Sequence, residues 1–295
     1  MTAPATTALS RLAIGPTSTL TQRLDFVDFA LGVEDELKDL NGTRGKYTKD
    51  TARVRKNMTR VQPTLKTHPT SLELSVLLPW ALGGTPTGSG TVTYPLGDTP
   101  PTQFVGFDPN AGAMWLLSGV AVDEAKFKGT QGEALEVEFS MVGQDYSVAG
   151  SFPSLSLDLS TQPFLFTDCV LTVGSDTVQA KEFEVSISNG IDRSRFFNSR
   201  TLTTLNKLTR KVSVRAAVPF GPFTNLFGIG AVGAAVNATF TNGNAVLSFA
   251  LGSVRFNPKS PESPFQQEVM LTLEGEAYSP DGTTESLITT LAVGP

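Results

Sequence analysis

Residues 135–147 read LEVEFSMVGQDYS, and residues 267–279 read QEVMLTLEGEAYS. The second stretch repeats the first, and both end in a tyrosine followed by a serine, at Tyr146 and Tyr278. In both, apolar residues alternate with polar ones, a period of two that predicts a β-strand with one buried face and one polar face. The similarity between the two stretches indicates an internal repeat.

Other features occur in the same order in both halves of the chain. A strand pattern containing a glycine precedes each repeat, around Gly119 and Gly252, and an Asn-Gly pair followed by a basic segment lies further upstream, at Asn41 and Asn189. The spacing differs because a Gly/Pro/Thr-rich insert runs from 83 to about 112 in the first half. We interpret this order as a duplication and predict an N-terminal arm over 1–20, a first domain over 21–150 and a second over 151–295.

Local patterns predict a mainly β fold in which each half is a β-sandwich or barrel with a short flanking helix. In the first half, Thr70 and Glu73 form a capping box before an apolar run that ends at Gly83. The matching helix of the second half is predicted to be shorter and weaker, in PFGPFTNLFGIG (219–230). Alternating patterns predict strands over 182–188 and 211–218.

Composition and charge exclude several classes of protein. The net charge of −5 argues against tight nucleic-acid binding by the whole surface. The most apolar run, 226–236, is far too short to span a bilayer, so no membrane contact is expected. The single cysteine, Cys169, excludes an internal disulfide. We expect it to be a core residue, because it lies in the buried-strand pattern FTDCVLTV (166–173).

No motif makes a convincing chemical site, so we predict no catalytic residue, no metal site and no cofactor. The G-x-G-x-x-G pattern over 228–233 lacks the following helix and the acidic residue that a dinucleotide site needs. His68 has no partner at metal-ligand or triad spacing. Glu136 and Glu138 share one strand face and keep a glycosidase-like hydrolase open as an alternative. A virion- or surface-associated β-sandwich that binds carbohydrate or a receptor is a second alternative, although two tryptophans and four tyrosines offer few aromatic platforms.

The charges are segregated along the chain. No acidic residue lies between Asp192 and Glu262, and a second basic segment follows the acidic run Glu34–Glu36. Such segregation can give a subunit complementary faces for its neighbours. From charge alone, two solvated basic loops are the favoured interpretation of the pattern.

Several segments together resemble the phage tail tube proteins. In the second half these are FTDCVLTVGSDTVQAKEFEVSISNGI, RFFNSR, KVSVRAAVPFG and LEGEAYSPDG, and in the first half GTRGKYTKDTARVRKN, PTSLELSVLLPWALGG and GVAVDEAKFKGTQGEALEVEFSMVGQDY. The resemblance covers the chain from about 21 to 295. It rests on an ordered set of loose motifs.

The resemblance implies a structural role in the virion tail, after synthesis in the host bacterial cytoplasm. Tube domains of this family are β-sandwiches similar to the tube protein of type VI secretion systems, and their rings stack into a hollow conduit for the genome. A duplicated chain would form a homotrimer in place of a hexamer. Expected partners are other tail proteins, the tape measure protein and transiting DNA in the lumen, and possibly a sheath.

In this family a long loop reaches the neighbouring ring, and it would map here to about 42–57 and 190–211. The basic residues of these segments are therefore the expected inter-ring or inter-subunit contacts. They are Arg44, Lys46, Lys49, Arg53, Arg55, Arg193, Arg195, Arg200 and Lys207.

Overall fold

The computed structural model of the chain is mainly β and describes residues 9–41, 48, 51–110, 112–148, 150–219, 233–257 and 269–293. Within these ranges there is one α-helix, α1 (Ser71–Leu82), and there are short 3-10 turns at Thr51–Arg53 and Phe166–Asp168. The strands of the first half are β1 (Arg11–Gly15), β2 (Gln22–Leu24), β3 (Asp28–Ala30), β4 (Val33–Asp39), β5 (Val54–Val61), β6 (Thr64–Thr67), β7 (Thr91–Tyr94), β8 (Gln103–Asp108), β9 (Trp115–Thr130), β10 (Glu136–Val142) and β11 (Asp145–Val148). Those of the second half are β12 (Cys169–Val173), β13 (Asp176–Val178), β14 (Glu182–Ser188), β15 (Lys211–Pro219), β16 (Ala234–Asn242), β17 (Ala245–Phe256), β18 (Met270–Tyr278) and β19 (Leu287–Ala292).

One set of antiparallel pairings occurs twice along the chain. In the first half, β1 pairs with β2 and β8, β8 with β9, β9 with β10 and β11, β10 with β6, and β6 with β3. In the second half, β12 pairs with β13 and β16, β16 with β17, β17 with β18 and β19, β18 with β15, and β15 with β14. The two similar stretches that first indicated a repeat form β10 and β18, which hold the same place in the two patterns.

The two halves also share one continuous sheet. Its strands follow the order β3-β6-β10-β9 and then β14-β15-β18-β17, so the same four-strand order occurs twice. The junction is the antiparallel pairing of β9 with β14, in which Lys128 lies opposite Glu184. The domain boundaries at 20/21 and 150/151 stay predictions, and β1 lies inside the range assigned to the N-terminal arm.

Helix α1 confirms the predicted capping box. Thr70 is the N-cap, its hydroxyl accepts from the backbone N–H of Glu73, and the Glu73 carboxylate accepts from the backbone N–H of Thr70 at 3.0 Å. Gly83 ends the helix in the left-handed conformation at φ 84°, which a glycine adopts without the strain a side chain would add. The second predicted helix falls almost entirely on 220–232, outside the described residues.

The hydrophobic core is continuous between the halves. Phe127 on β9 meets Phe249 on β17 with ring centroids 4.9 Å apart, and both side chains are fully buried. Trp80 of α1 lies edge-on to Phe139 and donates its indole N–H to the carbonyl oxygen of Val120 at 2.9 Å. Because the helix is apolar on nearly every side, it is buried between strands of both halves.

The segment predicted as an insert contributes strands to the sheet. Thr91–Tyr94 (β7) pairs with β19 of the second half, and Gln103–Asp108 (β8) pairs with β1 and β9. Since β8 has a counterpart in β16, the part without a counterpart among the described residues ends before 103. The insert is therefore shorter than the sequence predicted.

Candidate assembly surfaces

The polar face of the shared sheet carries two rows of charged side chains that cross the strands. Residues within a row lie directly opposite one another on neighbouring strands, so their side chains share one face. The first row is Asp28, Lys66, Glu138, Lys126, Ser186, Ser213, Glu276 and Arg255, and the second is Glu136, Lys128, Glu184, Arg215 and Glu274. The sign alternates along the second row throughout, and along the first except where two serines intervene.

Ion pairs link these rows to each other and to the neighbouring residues of the same face. Lys66 Nζ lies 2.7 Å from a Glu136 carboxylate oxygen, and Lys128 Nζ lies 3.3 Å from one of Glu182. Arg215 Nε lies 3.7 Å from the Glu274 Oε1 atom. Exposed pairs of this kind add little to stability, but they neutralise Lys66, Lys128 and Arg215. Glu136, considered above as a hydrolytic carboxylate, is one member of this lattice.

Strands β4 and β5 form a separate two-stranded sheet, the β4–β5 hairpin. At the base of the hairpin, Asp35 accepts hydrogen bonds from the Thr59 hydroxyl at 2.7 Å and from the Tyr146 hydroxyl of β11 at 2.8 Å. Lys56 Nζ lies 2.7 Å from the same carboxylate, and Trp115 stacks on Tyr146 with centroids 5.6 Å apart. These hydrogen bonds, that from Lys56 foremost, lower the pKa of Asp35 to about 2.

The 189–210 segment, which links β14 to β15, folds back onto the first half. The buried Asn189 side chain donates to the carbonyl oxygens of Ala81 at 2.9 Å and Val122 at 3.0 Å. The backbone N–H of Ile191 donates to the Asp123 carboxylate at 2.7 Å, and Gln144 donates to the carbonyl oxygen of Thr203 at 3.1 Å. A small buried cluster joins the two parts, formed by Ile191, Leu202, Ala121 and Val142.

Two basic side chains of this segment lie beside the end of α1. Arg210 donates to the carbonyl oxygens of Leu82 and Gly97, and Lys207 Nζ donates to Gly97 at 2.7 Å. A cation at a helix C-terminus satisfies carbonyl groups and interacts favourably with the helix dipole. Burial, with the nearby Arg210 charge, lowers the pKa of Lys207 to about 8.

The expected inter-subunit residues fall in different settings. Arg44, Lys46 and Lys49 lie outside the described residues. Arg53 and Arg55 are exposed on the β4–β5 hairpin. Within the chain, Arg193 pairs with Asp123, Arg195 pairs with Asp192, Lys207 contacts Gly97, and the carbonyl oxygen of Arg200 accepts from the Thr59 N–H. Their contact with another subunit stays a prediction.

Sequence reasoning missed both Asn189 as an anchor and the charge rows. Asn189 was singled out only as part of an Asn-Gly pair, and the residues it binds are remote in sequence. The rows did carry a signal, since like charges lie two apart in Lys126/Lys128, Glu136/Glu138 and Glu182/Glu184. That spacing on strands places an acidic strand on each side of a basic one.

The motifs discounted as chemistry have structural positions. Of the glycine-rich pattern, only Gly233 is described, and strand β16 follows it, as predicted. His68 Nδ1 lies 3.3 Å from the carbonyl oxygen of Leu135. Cys169 opens β12 as a free thiol packed against the core, and burial raises its pKa to about 12.

Among the described residues there is no helix with the length and apolarity needed to cross a bilayer. Comparison with curated proteins gives no match. The family model described as "Phage tail tube protein" matches residues 7–277, which is most of the chain. The mainly β architecture agrees with that match. The chain therefore belongs to the phage tail tube protein family and is a structural subunit of the tail tube of a virion.

Proposed function

We propose that three copies of this subunit close into a ring, that the rings stack into a hollow tube, and that each chain contributes two tandem tube domains, about 21–150 and 151–295. The observation that carries the proposal is the four-strand order that occurs twice in one sheet. Two equivalent units in one chain supply six per ring from three chains, so a trimer is favoured over a hexamer of chains.

The junction between the halves provides a template for closure. In the order of strands across the sheet, β9 ends the first unit and β14 begins the second, and these two strands pair with each other within the chain. The first strand of the first unit is β3, whose pairing among the described strands is with β6. A ring closes if the second unit of one chain pairs with β3 of the next chain in the same way that β9 pairs with β14 within a chain. This is a head-to-tail contact of the kind that generates closed rings.

The polar face of the shared sheet is the proposed wall of the lumen. Its basic side chains alternate with acidic ones, and the acidic residues are in excess across the two rows. Free basic groups would hold DNA phosphates tightly, whereas a paired and slightly acidic wall lets the genome slide. The tape measure protein and then DNA would occupy this lumen without tight binding, and other tail proteins, with or without a sheath, would contact the outside.

This role needs no catalysis, and we propose that the protein is not an enzyme. Glu136 and Glu138 act as members of the charge rows in this proposal. Nothing in the comparisons or the fold favours the carbohydrate- or receptor-binding alternative.

Cryo-electron microscopy of the purified protein tests the proposal. Class averages along the tube axis should show a central hole and three identical chains built from six similar lobes. Light scattering of isolated rings should give three times the chain mass. A strictly monomeric protein at high concentration, absent from purified tails, would contradict the tube role, and six chains per ring would contradict the stoichiometry alone.

A further inference from the structure

The first row of the polar face begins with an acidic residue and ends with a basic one. It consists of two runs of four residues, and each run crosses the four strands of one half in the same order. The first run is Asp28, Lys66, Glu138 and Lys126, and the second is Ser186, Ser213, Glu276 and Arg255. Asp28 therefore lies at one lateral end of the row and Arg255 at the other.

The turns that follow β3 and β14 fix the correspondence between the two runs. Gly32 has φ 55° and Gly190 has φ 59°, and the carbonyl oxygen of each accepts a backbone hydrogen bond from the returning chain. Asp28 lies four residues before Gly32, and Ser186 lies four residues before Gly190. Ser186 is thus the counterpart of Asp28, and Arg255 is the counterpart of Lys126.

The two end residues have no ion pair within the described part of the chain. The guanidinium of Arg255 lies over the ring of Tyr278, 5.8 Å from its centroid, and Asp28 is exposed. The other basic residues of the rows each have a carboxylate partner, Lys66 with Glu136, Lys126 with Glu124, Lys128 with Glu182 and Arg215 with Glu274. The ends of the first row therefore carry opposite charges that are left for a partner.

The pairing of β9 with β14 shows how one unit meets the next. Lys126 lies opposite Ser186 there, so the end of the first run meets the start of the second. If the second unit of one chain meets the first unit of the next chain in the same register, Arg255 lies opposite Asp28 of that chain. The junction inside the chain has one charge at this position, whereas the junction between chains has two opposite charges.

We infer that an ion pair between Arg255 of one chain and Asp28 of the next selects the correct partner when the ring closes, and that this partner is a second copy of the chain in the same ring. This inference rests on the proposed function. Two chains must find each other by diffusion, and complementary charges set the orientation and rate of such an encounter more than its affinity. The two halves of one chain are joined covalently and need no selection, which agrees with the uncharged Ser186 at their junction.

The charges at the two ends also reject the wrong pairings. Two first units meeting edge to edge bring two copies of Asp28 together, and two second units bring two copies of Arg255 together. Either contact is isologous, so it closes after two chains and cannot continue round a ring. Repulsion between like charges disfavours both, and attraction between Arg255 and Asp28 favours the head-to-tail contact.

An apolar side chain next to Asp28 is also open to a neighbour. Val27 is 55% exposed, and its backbone N–H donates to the carbonyl oxygen of Lys66 at 2.7 Å, so it extends the edge strand β3. Neighbouring residues of a strand point to opposite faces, which places Val27 on the core side and Asp28 on the polar face. A chain placed against β3 covers Val27, and this burial supplies affinity while the ion pair supplies direction.

Charge reversal tests the pair. Asp28→Arg places two arginines at each junction between chains, Arg255→Glu places two carboxylates there, and Asp28→Arg/Arg255→Glu restores an attractive pair with the charges exchanged. Glu133→Arg makes the same change in net charge as Asp28→Arg at an exposed position outside the rows and is the control. Circular dichroism and thermal unfolding establish that each variant is folded. Light scattering then gives the concentration at which half of the chains are in rings.

We expect each single reversal to raise that concentration by about tenfold or more, because the like-charge contact recurs at every junction of the ring. The exchanged variant and the control should both assemble within about threefold of the unmodified protein. Normal assembly of the single reversals, or an exchanged variant that assembles no better than they do, overturns the inference. If the unmodified protein forms no rings, the proposed function itself fails.

Neutral variants keep the test decisive if a reversal does not fold. Asp28→Asn and Arg255→Gln each remove one charge of the pair without adding a repulsion. Both should weaken ring formation, and the double variant should be no weaker than either single variant, because the second substitution has no pair left to break. Losses that add in the double variant contradict the pair.

A mixture of the two single reversals gives an independent measurement. Chains with Asp28→Arg repel one another, as do chains with Arg255→Glu, but each kind is complementary to the other. The mixture should form two-chain complexes that neither variant forms alone, and closed rings should stay rare because three chains cannot alternate two kinds completely. Rings of six alternating chains would support the pair and contradict the three-chain stoichiometry, whereas a mixture without association contradicts the pair.

Discussion

The side-chain amide of Asn189 donates a hydrogen bond to the carbonyl oxygen of Ala81, and the two residues lie 108 positions apart in the chain. The same amide binds Val122, and Asn189 Oδ1 accepts from Arg210 at 3.1 Å. One buried side chain therefore joins the end of β14 to the helix of the other half. This contact joins the two repeats directly, and no pattern in the sequence predicts it.

Asn189→Ala should lower the free energy of unfolding by about 1–3 kcal/mol, because buried carbonyl oxygens and the Arg210 guanidinium lose a partner. Urea denaturation measures the loss. Asn257→Ala, at an exposed position, is the matched control and should change stability by less than about 0.5 kcal/mol. Equal effects of the two substitutions would show that Asn189 does not anchor the halves.

Glu73 provides a prediction about pH. Its carboxylate is buried and accepts from the backbone N–H of Asp25 at 2.7 Å and of Thr70 at 3.0 Å. Burial raises the pKa of Glu73 above its ordinary value of 4.5, so the folded chain binds the proton more tightly than the unfolded chain. The contribution of the proton to stability is thus fully present below about 4.5 and is lost as the pH rises through the folded pKa.

Glu73→Gln should therefore be most destabilising at low pH and less so at pH 7, as measured by urea denaturation at a series of pH values. Glutamine offers one acceptor oxygen to donors that now share two, so we still expect a cost of about 1–3 kcal/mol at acid pH. Glu133→Gln, at an exposed turn, is the control. A cost that grows with rising pH would contradict the assignment.

Features set by neighbouring residues were predicted from sequence, and features set by distant contacts were not. The capping box at Thr70 and the alternation in 182–188 and 211–218 depend on residues a few positions apart, and the structure confirms them. The pairing of β7 with β19 joins the first half of the chain to its last strand, with Tyr94 opposite Thr289. No local pattern specifies that partner.

In the candidate surfaces too, local features were predicted from the sequence and long-range pairings were not. A basic segment after Asn41 was visible in the sequence, but its pairing with the acidic strand Val33–Asp39 was not. The sequence matched Asn41-Gly42 with Asn189-Gly190, but among the described residues the turn that corresponds to Gly190 is at Gly32, and Gly42 lies outside them. An Asn-Gly pair indicates a turn of the chain and does not identify its place in a topology.

Asp35→Asn should loosen the base of the β4–β5 hairpin. The substitution removes the charge that Lys56 binds and an acceptor of the Tyr146 hydroxyl. Amides of β4 and β5 should then exchange with deuterium faster, while those of β9 and β10 stay unchanged. Tyr146→Phe removes one hydrogen bond and should have a smaller effect, and Asp176→Asn, at the exposed start of β13, should have none.

The same carboxylate predicts acid sensitivity of the hairpin. Because hydrogen bonds lower the pKa of Asp35 from 3.8 to about 2, its contribution is present above 3.8 and is lost as the pH falls through about 2. Fluorescence of Trp115, which stacks on Tyr146, should change in that window. In Asp35→Asn the change should be absent, and a change that persists there would assign it to another group.

The charge rows predict how the tube treats DNA. Glu138 lies between Lys66 and Lys126, and Glu184 lies between Lys128 and Arg215, so Glu138→Lys/Glu184→Lys makes both rows locally basic. Like charges directly opposite cost up to about 1 kcal/mol each, which the shared core can sustain.

Assembled tubes of this variant should bind short duplex DNA in low salt, with an affinity that falls steeply as salt rises, because each phosphate contact releases counterions. Unmodified tubes should bind little at any salt concentration. Glu133→Lys/Asp176→Lys adds the same charge at two exposed positions outside the charge rows and is the control. If the control tubes bind DNA as well as the variant tubes do, net charge explains the effect and the polar face is not the lumen wall. Binding by the Glu138/Glu184 variant alone places the alternating rows where the genome passes.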